Sequence, residues 1–443
     1  MKKLAFVAVA LSVALSQGAE RYKDRLFDVS VEKDVVYASN VNHLKTLTRI
    51  TQTLITMAGK GNAIYLYDNE NDLEEVDLHM DVYSPKGDSV KNRPAVLVMH
   101  GGAFAAGSKE DLGQQTVAYC DSLAARGFVA ISVQYRLGLT ATIADAVLTV
   151  DSLDFSRTVY RGIQDVRAAV RYVRQNADSF GVDPGRIYLV GNSAGAVLAL
   201  ENIYVDRDDE VPEVVHRSPD LGTLDAYGVQ GDDSRANAAV SLWGAIHDIS
   251  IIENASTPVL LVHGTADSTV LFKTGRSLEN AATALSSFAS KLGLFGVQSM
   301  KIETPTLYGS YAIDSALTAK GIEHETYFAE GMPHEFYDED GYGDIVRGKV
   351  FDFLYAQAKG PKTTPVIGIV AIRPSQVRLG EENANFFVTA GQNLRYAVTD
   401  LRGRVRMRGT VSAGMVVPFE SLERGVYVLR VEGERPLRFG RFK

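Results

Sequence analysis

Apolar positions in the middle of the chain follow two rhythms. Asp77–Tyr83 alternates with a period of two, the mark of a half-buried strand. Ala95–Met99, Phe128–Val133, Arg186–Val190, Ala238–Trp243 and Val259–Val262 are short apolar runs, expected of strands covered on both faces. Helical spacing appears between them. Val117–Ala125 is stopped by Arg126–Gly127, and Val166, Val170, Tyr172 and Val173 recur within Ile163–Phe180. Ala194–Tyr204 and Leu271–Leu292 read as two more helices, and Glu323–Phe328 as a further strand. A β-α-β-α order of this kind predicts an α/β fold, a mostly parallel central sheet with helices on both faces. Ligands on such sheets sit beyond the carboxyl ends of the strands, so the residues that follow each strand are where chemistry is expected.

The two ends of the chain read differently. Met1–Lys2–Lys3, an apolar run Leu4–Leu15, and small residues at Ser16, Gly18 and Ala19 have the order of a secretory signal over residues 1–19, cleaved near Gly18 or Ala19. Twelve apolar residues are too few to span a bilayer, so a secreted chain without a membrane span is expected. Gly360–Pro365 reads as a linker between a body at 20–359 and a tail at 366–443 of short alternating strands, a small all-β domain. The chain has 443 residues, 46% hydrophobic and 23% charged, which suits a folded protein with a sizeable core. Its one cysteine, Cys120, excludes an intrachain disulfide and any Cys-rich zinc module. The net charge of −8 argues against a nucleic-acid surface over most of the chain. Residues 400–443 depart from this, with ten Lys/Arg against five Asp/Glu, a net +5 that leaves −13 elsewhere.

Gly191–Asn192–Ser193–Ala194–Gly195 lies between a strand and a helix and matches G-x-S-x-G. That setting holds a serine on a sharp, strained turn with its oxygen clear and a helix N-terminus behind it. His100–Gly101–Gly102–Ala103–Phe104 follows another strand; its glycines let backbone N–H groups approach a developing oxyanion. A nucleophilic serine needs a base, and the base an orienting acid. His334 in Gly331–Met332–Pro333–His334 is the base candidate, and Asp267 in His263–Gly264–Thr265–Ala266–Asp267 the acid. Asp248, after an earlier strand, is a rival acid. His263 reads as a local hydrogen-bonding turn residue, and His100 as a brace for its glycine loop.

With these motifs, Gln134–Tyr135–Arg136 and the run Gln164–Asp165–Val166–Arg167–Ala168–Ala169–Val170–Arg171–Tyr172–Val173 through Phe180–Gly181–Val182–Asp183–Pro184, the stretch from Leu73 to Ala358 resembles the carboxylesterase and hormone-sensitive-lipase-like branch of the α/β-hydrolase superfamily. The resemblance implies Ser193 as nucleophile, His334 as general base, Asp267 as its orienter, and the N–H groups of Gly102, Ala103 and Ala194 as oxyanion donors. Ala103 stands where many relatives carry a third glycine. Two inserted stretches, Leu139–Tyr160 and Val205–Asn237, resemble the lids or pocket walls of relatives, with solvated surface as the alternative; neither is a long apolar flap of the kind an interfacial lipase exposes.

Tyr396–Arg404, Leu422–Tyr427 and the basic end resemble a C-terminal sorting domain of type IX secretion, which implies the secretion machinery as a partner. Gly343–Val350 nearly spells a phosphate loop but lacks its hydroxyl residue and reads as an amphipathic helix; Asp338–Gly341 lacks calcium-loop spacing. No cofactor and no metal are inferred. The expected activity is hydrolysis of carboxylic esters, including acetyl or feruloyl esters of plant polysaccharides. A serine peptidase and a non-catalytic binding protein built on the same fold are the alternatives.

Overall fold

The computed structural model describes residues 19–45, 65–111, 115–145, 147–254, 257–277 and 299–359, and in the tail 377–382, 385–390, 394–400, 404–411, 416–418, 422, 425–431 and 437–441. The signal-like stretch 1–18 and the linker 360–365 lie outside the described residues. The chain divides into two compact units, Met1–Gly360 and Pro361–Lys443.

The first unit is built on eight strands: β1 (Val29–Leu44), β2 (Leu73–Pro85), β3 (Arg93–Met99), β4 (Val129–Val133), β5 (Val182–Asn192), β6 (Ala238–Leu242), β7 (Val259–Gly264) and β8 (Glu325–Ala329). They are ordered β1-β2-β4-β3-β5-β6-β7-β8. β2 runs antiparallel to β1 and β4, and from β4 to β8 every neighbour is parallel. Parallel strands need crossover helices, and these cover both faces. α1 (Thr116–Ala125) and α5 (Tyr342–Lys359) pack on one face; α2 (Ser152–Gln175), α3 (Ala194–Tyr204) and α4 (Ser310–Ala319) pack on the other.

The period of two along β3 divides its side chains between two cores. Val96 and Val98 belong to one core with Leu123 of α1 and Phe353 of α5, whereas Leu97 and Met99 belong to the other with Val170 of α2 and Leu198 of α3. This two-sided burial is why the inner strands read as unbroken apolar runs. Several boundaries extend beyond the sequence reading. α2 starts eleven residues before Ile163, because Asp151 caps it by accepting the N–H groups of Leu153 and Asp154, each at 2.8 Å. The helix expected at Leu271–Leu292 is corrected in its first part: Thr274–Arg276 is a strand paired with Thr306–Gly309, a partner that periodicity cannot reveal. Residues 278–292 of that expectation lie outside the described residues.

Segment 205–237 carries only two short 3-10 turns, Asp208–Glu210 and Glu213–His216. One face of α2 holds it. Arg157, Tyr160, Gln164, Arg167, Arg171 and Arg174 follow one another every three or four residues, as one side of a helix requires. Their side chains donate to its carbonyls: Arg157 to those of Val214, Val215, Arg217 and Pro219, Tyr160 to Gly222, Gln164 to Leu221 and Thr223, Arg167 to Val205, Arg171 to Tyr227 and Val229, and Arg174 to Asp233 and Arg235. A guanidinium stays charged in a protein interior, so it must be surrounded by acceptors, and irregular backbone supplies them. The insertion is therefore bonded to α2 along most of its length.

The second unit is all β among its described residues. Val377–Glu382, Asn385–Ala390 and Val416–Pro418 form one antiparallel sheet. Val405–Val411, Leu394–Asp400, Gly425–Val431 and Leu437–Arg441 form another, with Val398 and Leu429 buried and Arg404, Arg406 and Arg408 exposed.

Candidate active site

The serine sits where β5 ends and α3 begins. Ser193 has φ 51° and ψ −113°, a left-handed backbone state that costs a non-glycine residue about 1–3 kcal/mol. Its N–H is held at 3.0 Å by the carbonyl of Leu242, at the end of β6. Gly195 is required by contact: a Cβ there would stand 2.4 Å from the carbonyl oxygen of Met99. That close approach draws the end of β3, and with it the His100–Gly107 loop, alongside the serine.

In this loop Gly102, Ala103 and Phe104 have φ of 108°, 52° and 60°. The carbonyl of Gly102 turns inward and accepts the N–H groups of Ala105 and Ala106 at 3.0 and 2.9 Å. Ala103, Ala194 and Ser193 line one cleft. The N–H of Ala194, in the first turn of α3, precedes any intrahelical acceptor and points with the positive end of the helix dipole. His100 lies under the loop, stacked on Tyr135 with ring centroids 4.4 Å apart. Its Nδ1 is 2.7 Å from the carbonyl oxygen of Gly101, which can only accept, so Nδ1 carries the proton. Burial pushes its pKa down to about 4, leaving it neutral near pH 7.

His334 and Asp267 come from loops after β8 and β7. Nδ1 of His334 is 2.6 Å from Oδ2 of Asp267, and Nε2 is 2.9 Å from Oγ of Ser193. A carboxylate only accepts, so Nδ1 donates; Nε2 then presents its lone pair and accepts the hydroxyl proton of Ser193. Asp267 is buried, which by itself would raise its pKa, but hydrogen bonds from His263 and His334 outweigh this and lower it to about 2. Its Oδ1 also accepts the N–H groups of Thr269 and Val270 at 2.8 and 3.0 Å.

His263 does more than close a turn. Its Nε2 faces the carbonyl of Val270 at 2.9 Å and Oδ2 of Asp267 at 3.1 Å, and its Nδ1 faces Oγ of Ser310 at 2.8 Å. The rival acid Asp248 accepts the N–H of Ser250 and makes no bond to His334. Asn192 anchors the site from beneath, accepting the indole N–H of the fully buried Trp243 at 2.7 Å, and the edge of that indole meets His334.

The cleft encloses about 670 Å³, mouth included, and is mostly apolar: Phe104, Phe155, Val159, Val197, Val211 and Leu307 form much of its wall. Both insertions contribute, Leu139–Tyr160 through Phe155 and Val159, and Val205–Asn237 through Val211. Among the described residues, its only charged lining groups are Glu201 and His247. Nδ1 of His247 lies 3.0 and 2.9 Å from the two carboxylate oxygens of Glu201, and Nε2 lies 2.9 Å from the carbonyl of Glu210. Both nitrogens face acceptors, so both carry protons. Burial opposes that charge, but Glu201 and the Glu210 carbonyl outweigh it and lift the His247 pKa to about 9. The sequence reading missed this pair, although Glu201 is the lone charged residue in Ala194–Tyr204.

Residues 80–221 match the BD-FAE family. Over 121 residues the chain is 33% identical to the Fumonisin B1 esterase of Sphingopyxis macrogoltabida, covering 27% of this chain and 21% of that protein. Over 200 residues it is 32% identical to Esterase-5C of Drosophila miranda, covering 39% and 34%. Over 128 residues it is 34% identical to the Neuroligin-like protein glit-1 of Caenorhabditis elegans, covering 28% and 15%. The chain thus spans between 15% and 34% of the length of these relatives. Among solved structures, the propionate-bound esterase 2 of Thermogutta terrifontis is similar at 22% identity and a TM-score of 0.40, covering 69% of this chain and 96% of that one. On its sheet order, its strained serine between β5 and α3, and the continuous hydrogen-bonded run of Ser193, His334 and Asp267, the first unit has the α/β-hydrolase fold.

Proposed function

We propose that this chain is a serine carboxylic ester hydrolase that acts on acetyl and feruloyl esters carried by polysaccharides. The observation that carries the reading is the unbroken hydrogen-bonded chain from Asp267 through His334 to Ser193, at the rim of an apolar cleft. Nε2 of His334 takes the hydroxyl proton of Ser193 as Oγ attacks the ester carbonyl carbon. The oxyanion that forms is met by the N–H groups of Gly102, Ala103 and Ala194. The imidazolium is stabilised by Asp267, which stays ionised throughout. As the C–O bond to the alcohol breaks, Nε2 returns the proton to the leaving oxygen. Water then repeats the sequence on the acyl-serine, with His334 as base, and releases the acid and free Ser193.

The substrate class is supported by the match of residues 80–221 to BD-FAE, a family of bifunctional acetyl/feruloyl esterases, and by the aromatic and aliphatic cleft wall. A panel of acetyl esters, feruloyl esters and peptide amides tests the reading. Acetyl and feruloyl esters are expected to turn over, with amides slower by at least about a hundredfold, a gap of roughly 3 kcal/mol in activation free energy. Amide turnover at parity would favour the peptidase instead.

The oxyanion loop makes its own prediction. A Cβ on Gly102 would stand 2.1 Å from the carbonyl oxygen of Ala106, at a φ that side chains rarely adopt. Gly102→Ala should therefore displace the loop and lower kcat by about 10²–10³, the usual cost of one lost oxyanion donor. Steady-state kinetics on an acetyl ester with matched circular dichroism would check it.

A further inference from the structure

Ser193, Val197 and Glu201 recur every four residues on one side of α3, and all three line the cleft. The cleft therefore runs along the helix, from the reacting serine at one end to the Glu201–His247 pair at the other. Eight residues of helix advance about 12 Å. His334 does not line the cleft. An alcohol oxygen must lie within hydrogen-bond reach of Nε2 of His334 to be protonated as it leaves, so the cleft takes the other half of the ester, the acyl group.

We propose, on the ester-hydrolase reading above, that the Glu201–His247 ion pair is the end-stop of the acyl cleft and sets the longest acyl group the enzyme accepts. Glu201 is fully buried, His247 is part-buried with a polar surface pocket on its far side, and every proton on the imidazolium ring nitrogens already has an acceptor. A hydrocarbon chain that pushed past them would strip these charges of partners without supplying others, which the low-dielectric surroundings make costly. The pair also ties the wall in place, since His247 bonds α3 through Glu201 and the 205–237 segment through the Glu210 carbonyl, next to Val211. An extended alkyl chain advances roughly 1.25 Å per carbon, from the C–C bond length and tetrahedral angle. With about 4 Å left for van der Waals separation at the far end, the 12 Å holds roughly six carbons, or one cinnamoyl skeleton.

The test is an acyl-length series of p-nitrophenyl esters from acetate to decanoate. For the wild-type chain kcat/KM should hold or rise to about hexanoate and fall by at least about tenfold at decanoate. The double variant Glu201→Leu/His247→Leu removes both charges together, a replacement that buried ion pairs often tolerate. It should raise the decanoate-to-hexanoate ratio by at least about tenfold, chiefly through KM. A wild-type profile flat to decanoate, or an unchanged cut-off in the double variant, would overturn the assignment. Should the double variant not fold, Val197→Phe carries the same test. It blocks the cleft midway and should move the cut-off to shorter chains; an unmoved cut-off overturns the proposal. Failure of the wild-type chain to turn over any member would sink the ester-hydrolase reading itself.

Discussion

Ser193→Ala is expected to lower kcat for acetyl ester hydrolysis on the order of 10⁶-fold, the loss seen when a nucleophile that acts as a unit with its base is removed. Its Oγ lies 2.9 Å from Nε2 of His334, and among the described residues no other hydroxyl bonds that nitrogen. The fold should survive. The strained φ of 51° remains available to alanine at similar cost, and the residue's N–H keeps its bond to Leu242. Steady-state assays on the purified variant, with circular dichroism and thermal melting alongside, would check both halves. Turnover within tenfold of wild type would remove Ser193 from the chemistry.

Asp267→Asn is expected to lower kcat by about 10⁴, because an amide presents an N–H to the imidazole and favours the wrong tautomer. The carboxylate does two jobs. Its Oδ2 accepts from His334 at 2.6 Å and also faces His263 at 3.1 Å, while its Oδ1 ties down the backbone at Thr269 and Val270. Its pKa of about 2 means it is already ionised throughout the neutral and mildly acidic range. The loss in the variant should therefore be present throughout that range. A pH–kcat profile of variant against wild type checks it: a loss below about tenfold anywhere between pH 5 and 8 would mean that the Asp267 carboxylate does not act on His334. The folded-state pKa is depressed, so the stability that Asp267 contributes is present above the unfolded value near 4 and fades as pH falls towards 2.

Much of the candidate site was legible because its geometry is local. The G-x-S-x-G elbow and the His100–Phe104 loop each need a glycine within a few residues of a strand end, so their identity and spacing are written in short stretches of sequence. The strands themselves were legible because β3 to β7 are buried on both faces and read as apolar runs. The less legible features depend on partners far along the chain. The strand at Thr274–Arg276 owes its form to Thr306–Gly309, and the 205–237 wall to a row of side chains on α2, where arginines at helical spacing look like an exposed face.

His263 shows the same limit from within the site. Its place at the end of a short apolar run marked it as a turn residue, yet it lies within β7, and only the fold sets it against the carboxylate that also bonds His334. Glu201 and His247 went unread for that reason, being 46 residues apart and joined only when β6 delivers the second to the side of α3.

What the amino-acid order determined alone was the inner strands β3 to β7 and most of the helices beside them, and which hydroxyl, imidazole and carboxylate come after strand ends, since these follow from periodicity, glycine positions and chain order. Tertiary structure decided the tautomer of His334, the charge on His247, the depressed pKa of Asp267 and the length of the cleft. Each depends on which acceptors and donors share a desolvated space, and that is a property of through-space packing rather than of neighbours along the chain.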